Sequence, residues 1–222
     1  MANDGIEQEL AQAERASQAG LRDQARGHFE AVLAIDEGEP TARNWLGADA
    51  LERADAAAAA VHFEIASRRE PGERSHWLNL AAAHRILDQS EREREAIEKA
   101  LAIDQTDLLA LVRISELHER LGEDVSAAER WTAVLALSSN IRDPSPEFAD
   151  ILTHAKHYVA QQQRTFASAV DSALAAELAA ATARDRRMRG WAGGRSTPTI
   201  AKGCITRFCQ RMNFSTPTIF PG

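Results

Sequence analysis

The stretch NWLGADALERADAAAAAVHFEIASRREP, residues 44–71, decides the fold. Its first half places Trp45, Leu46 and Gly47 ahead of a break near Ala54. Its second half places Ala59, Phe63 and Ala66 at steps of four and three and closes on Pro71. Residues at those steps share one helical face. Ala59 and Ala66 are small enough to let a neighbouring helix approach, and Phe63 fills the gap between them. A bulky residue at Ala59 is expected to clash.

The same pattern recurs every 34 residues on either side. Ala25, Ala59, Glu93 and Ala127 form one series, Phe29, Phe63, Ile97 and Trp131 a second, and Val32, Ala66, Ala100 and Val134 a third. Gly20, Ala54, Asp88 and Gly122 keep the same step and mark turns. Leu33-Ala34-Ile35-Asp36 returns two periods later as Leu101-Ala102-Ile103-Asp104, each closing a second helix before a polar turn. Four copies therefore stay in register without a gap. A fixed period of this length, built from two amphipathic stretches and a turn, signals stacked helix pairs that bury their faces on one another.

Over roughly residues 6–141 the chain resembles the tetratricopeptide-repeat family, with Trp45-Leu46-Gly47, Ala59, Phe63, Ala66 and Pro71 in the second repeat and Trp77, Leu80, Ala81, Ile97 and Ala100 in the third. The resemblance implies an all-α solenoid of antiparallel helix pairs wound as a right-handed superhelix. The repeats fall at about 6–39, 40–73, 74–107 and 108–141, followed by capping helices over 142–189 and a disordered tail from 190 to 222. Departures include the missing aromatic in the first helix of repeat one, Glu93 for the usual Ala, and Ser139 where Pro is common.

Composition agrees with this reading. With 222 residues and 44% apolar content, the chain can bury a sizeable core, and its few aromatics suit close helix packing. A formal charge of −7 argues against generic nucleic-acid binding, which needs a basic stripe. Met1 to Leu10 lacks the basic start and apolar run of a signal peptide, and no stretch is apolar long enough to span a bilayer, so a cytoplasmic location without membrane contact is expected.

Asp143-Pro144-Ser145-Pro146 breaks the helical pattern. Beyond it, one or two capping helices are expected, with Phe148, Ile151, Leu152, Ala155 and Val159 on one face and Val170, Leu174 and Leu178 on another. His154 and His157 are three apart, but no third metal ligand lies near them in sequence, so a surface or capping role is expected. Cys204 and Cys209 lack the spacing of a metal or redox site.

The tail from about Gly190 differs from the rest. It holds no Asp or Glu, and Ser196-Thr197-Pro198-Thr199-Ile200 returns at Ser215 to Ile219. The frame whose second and third bases are the first two of each residue here has several forced outcomes. Met212-Asn213 forces Glu, Phe208-Cys209 forces Leu, and Trp191-Ala192 forces Gly. Across Gly203 to Ser215 that frame permits Gly-Leu-His-Tyr-Pro-Phe-Leu-Pro-Ala-Asp-Glu-Phe-Phe. The string resembles the opening of the catalytic domain of bacterial aspartyl/asparaginyl beta-hydroxylase-like proteins. The expectation is a frame shift near Arg186 to Trp191 and a parent that is an Fe(II)- and 2-oxoglutarate-dependent oxygenase. For the chain itself no catalytic, cofactor-binding or metal residue is expected; Fe(II) and 2-oxoglutarate enter only with a catalytic domain that is not part of it.

A binding module remains. In the family, the first helix of each repeat lines a concave groove that takes a peptide or partner domain. The candidate groove residues on those helices are Asn44, Trp45, Asn79, Arg85, Arg113 and Arg120. Asn79 and Arg113 stand one period apart, placed to face one carboxylate together. A full carboxylate clamp is not expected, because Leu109 and Ala48 occupy its remaining positions. For Trp45 and Trp77, stacking on a peptide competes with helix packing.

Overall fold

The computed structural model describes the backbone of residues 2–189 and the side chains of 4–184. Among the described residues every regular element is α-helical: α1 Ala2–Gln18, α2 Arg22–Ile35, α3 Pro40–Glu52, α4 Ala56–Arg69, α5 Arg74–Ile86, α6 Ser90–Ile103, α7 Leu108–Arg120, α8 Asp124–Ser138 and α9 Pro146–Arg189. Two compact units divide the chain after Gln162. The first contains α1 to α8 and the opening turns of α9.

Local chemistry sets the helix ends. The side chains of Glu39, Asp55, Glu73 and Asp107 accept from Ala42 N, Ala58 N, Ser75 N and Ala110 N, supplying acceptors for orphan donors of the first turn. Each odd-numbered helix from α1 to α7 stops at one of the four turn positions of the 34-residue series. Gly20, Ala54, Asp88 and Gly122 have φ of 72°, 62°, 54° and 70°. The next amide in each case bonds back five residues: Leu21 N to Ala16 O, Asp55 N to Ala50 O, Gln89 N to His84 O and Glu123 N to His118 O. This is the left-handed C-cap that satisfies orphan carbonyls and reverses the chain within two or three residues. The pairs α1/α2, α3/α4, α5/α6 and α7/α8 are therefore adjacent and antiparallel.

The three 34-residue series form the core. Ala25, Phe29, Val32, Ala59, Phe63, Ala66, Ile97, Ala100, Ala127, Trp131 and Val134 are all buried. Gly47 of α3 is required by this packing: a Cβ there would lie 2.6 Å from the Phe63 ring. α9 covers the last repeat with Phe148, Ile151, Leu152, Ala155 and Val159, which join Trp131 and Val134 in one cluster. The region read as one or two capping helices is a single helix. The tail from Gly190, with both cysteines, the repeated pentamer and the out-of-frame string, lies outside the described residues. Among those described, no helix is long and apolar enough to cross a membrane.

Candidate peptide-binding groove

α3, α5 and α7 carry the six groove candidates, and the structure separates them into three situations. Trp45 is half-buried and stacked on Phe29, with ring centroids 4.7 Å apart and planes 27° apart. Its Nε1 donates to Ser17 Oγ at 2.9 Å, so this indole holds the first two repeats together. Arg120 likewise works internally. One guanidinium nitrogen donates to both Glu93 oxygens, at 2.7 and 2.6 Å.

Asn44 and Asn79 meet each other: Asn79 Nδ2 donates to Asn44 Oδ1 at 2.8 Å, and His76 Nδ1 lies 3.4 Å from the same oxygen. This link fixes the amide of α5 against α3. Asn79 and Arg113 do not converge through a mutual hydrogen bond. Arg113 instead donates from Nη1 to the Leu78 carbonyl at 2.5 Å.

Arg85 and Arg113 do share one concavity. It has a volume of about 230 Å³ and is lined by Ala81, Ala82, Arg85, Ile86, Glu93 and Arg113. Arg85 is exposed and donates to Glu116 Oε2 at 2.5 Å. Arg113 is half-buried, and no carboxylate among the described residues is ion-paired with it. Burial first, and the Arg85 guanidinium second, pull Arg113 below the ordinary arginine value. Its charge is thus held in a partly dry wall, with one neutral oxygen as hydrogen-bond partner. Ile86 beside it is 63% exposed and supplies an apolar shelf.

Sequence reasoning missed the internal assignment of Arg120. The signal was present in Glu93, a carboxylate at a position where the other three repeats have Ala. At 2% exposure it needs a cation.

No protein-family model matches the chain, and no curated protein matches it. Solved structures do. The crystal structure of MamA protein superposes with a TM-score of 0.60 at 13% identity, over 88% of this chain and 100% of that one. YrrB, described as a TPR protein with an unusual peptide-binding site, superposes with a TM-score of 0.56 at 18% identity, over 68% of this chain and 74% of that one. The fold is the tetratricopeptide-repeat solenoid. A third match is the TPR2B domain of yeast Sti1 in complex with pHsp70, with a TM-score of 0.50 at 20% identity, over 55% of this chain and 97% of that one. In tetratricopeptide-repeat terms, the concavity at Arg85 and Arg113 lies between the first helices of repeats three and four.

His154 and His157 sit on α9. His154 Nε2 lies 3.0 and 3.1 Å from the two Glu119 oxygens, and its ring meets Trp131 edge-on at 5.5 Å. This places His154 in the contact between α9 and the last repeat. Among the described residues, no three His, Cys, Asp or Glu side chains gather as a metal site.

Proposed function

We propose that this chain is a non-catalytic interaction scaffold whose groove takes an extended segment of a partner protein, with an acidic residue of that segment on Arg113. The observation that carries the reading is the Arg113 guanidinium, half-buried beside Arg85 and hydrogen-bonded to a carbonyl. An incoming carboxylate would gain charge-assisted hydrogen bonds there and relieve the repulsion between the two arginines. Ile86 and Ala82 would receive the neighbouring apolar side chain. The fold likeness to YrrB and to the Sti1 domain supports a peptide-binding role, and the net charge of −7 supports a protein rather than a nucleic-acid partner. Cytoplasmic placement belongs to the same reading.

The test is binding of partner-derived or arrayed peptides before and after Asn79→Ala combined with Arg113→Ala. The scaffold reading expects loss of binding with helicity unchanged; retained binding would move the site elsewhere. The oxygenase parentage rests on the tail string alone. It is tested by sequencing the gene past the codon for Trp191, and succinate release from the purified chain with Fe(II) and 2-oxoglutarate would overturn the non-catalytic reading.

A further inference from the structure

A second concavity, of about 330 Å³, opens where α4, α5 and α6 meet. Trp77 and Leu80 line it from α5, Arg68 from α4, and Arg92, Glu95 and Ala96 from α6. Trp77, Leu80 and His84 follow steps of three and four and share one face of α5. Ala82, Arg85 and Ile86 of the groove lie on another, so the two sites are separate.

The 34-residue period explains why space is left here. One repeat earlier, Arg43 stands in the Trp77 position and His62 in the Ala96 position. Arg43 is buried, donates from Nε to the Glu37 carbonyl at 2.7 Å, and lies 3.3 Å from His62 Nδ1, so a guanidinium and an imidazole fill that junction. One repeat later the Trp77 position is Leu111, 2% exposed and part of the core. At the middle junction a half-buried indole faces the small Ala96 instead. The indole is held by its Nε1–H, which donates to the Pro71 carbonyl at 3.0 Å. Neither side chain fills the gap.

The rim has matched charges. Arg68 is tied to Glu64 at 2.5 Å. Arg92 and Glu95 are exposed, one helical turn apart, and without ion-pair partners among the described residues. His84 is lowered below the ordinary histidine value by burial, against the opposing pull of the hydrogen bond that its Nδ1 donates to Gln89 Oε1 at 2.9 Å. One free cation and one free anion therefore stand over an aromatic and aliphatic floor.

We infer that this cavity is a small-ligand site for a free α-amino acid with a large apolar side chain, its carboxylate on Arg92, its ammonium on Glu95 and its side chain against Trp77 and Leu80. The volume lies at the lower end of the roughly 300–1,000 Å³ range of small-molecule pockets, enough for one such molecule. Two guanidiniums against two carboxylates leave the site neutral, which favours a zwitterion over a net anion or cation. The indole adds a face for the ammonium as well as for the side chain.

The experiment is calorimetric titration of the full chain with L-phenylalanine, and with N-acetyl-L-phenylalanine amide as the probe lacking both charges. Saturable binding of order 1 mM is expected for the amino acid, with the neutral analogue at least about tenfold weaker. Arg92→Glu weakens L-phenylalanine about tenfold, and Ala96→Phe, which fills the cavity, abolishes binding. Circular dichroism checks that Ala96→Phe still folds; Arg92→Glu changes an exposed side chain and decides the matter if it does not. Arg113→Gln in the groove leaves L-phenylalanine binding unchanged, so this inference and the groove reading fail separately. Absence of saturable heat, equal binding of the neutral analogue, or an unaffected Arg92→Glu variant would overturn the assignment.

Discussion

Arg120 of α7 reaches back to Glu93 of α6 and places one nitrogen between its two carboxylate oxygens, at 2.7 and 2.6 Å. Glu93 is the member of its series that is not alanine, and it is 2% exposed. The buried carboxylate and its arginine partner make sense together. Removing the cation strands a buried charge, whereas removing the anion leaves Arg120, about a third exposed, free to hydrate. Arg120→Met is therefore expected to cost about 2–4 kcal/mol, Glu93→Ala little, and the double variant little. Chemical denaturation of the four proteins of the cycle checks this; equal losses for both single variants would refute it.

Gly47 sits inside a helix, where alanine is ordinarily favoured by about 1 kcal/mol. Here the added Cβ would meet three ring atoms of Phe63 at 2.6 to 2.8 Å, and Phe63 is buried. Gly47→Ala is expected to destabilise by about 1–3 kcal/mol. A thermal melt that rises instead would show that the ring yields freely.

Ala54 and Asp88 hold left-handed backbones that glycine occupies in the first and fourth repeats. Ala54→Gly is expected to stabilise by about 0.5–1 kcal/mol, the relief of left-handed strain exceeding the added freedom of the unfolded chain. Asp88→Gly should gain less, since aspartate tolerates this conformation better than alanine. Denaturant midpoints with unchanged slopes would display the order.

Acid should destabilise this fold in a defined window. Hydrogen bonds from Arg94 and then His118 hold the Glu123 carboxyl down at about 2, against an ordinary 4.5, and Arg26 likewise lowers Asp49. A depressed carboxylate stabilises fully above its unfolded value, and the contribution fades as pH falls from about 4.5 towards 2. His62 and His84, both lowered by burial, act in the same direction from 6.5 downward, because the unfolded chain binds their protons first. Melting temperature should thus fall steadily below pH 6.5 and more steeply below 4.5. Glu123→Gln should flatten the lower limb.

The repeat register was legible because its residues are dictated by helix contact. Ala59 can only be small, Phe63 must fill the space beside Gly47, and the fourfold turn position recurs with a left-handed backbone even where glycine is absent. The groove was legible only as a set of positions. Whether Arg113, Arg120 or Trp45 faces a ligand depends on partners 27 to 35 residues away, such as Glu93, Ser17 and Leu78. No local period encodes those pairings. The cavity at Trp77 was hidden for a related reason: it arises from a small Ala96 against a tethered indole, visible only when three equivalent junctions are laid side by side.

The central claim is that the groove reads an acidic segment through Arg113. An array of random twelve-residue peptides, probed with the wild-type chain and with Arg113→Gln, tests it most directly. The account predicts that bound peptides are enriched in Asp and Glu next to an apolar residue, and that Arg113→Gln weakens them by about tenfold or more. Bound peptides without acidic enrichment, or equal binding by the variant, would contradict it.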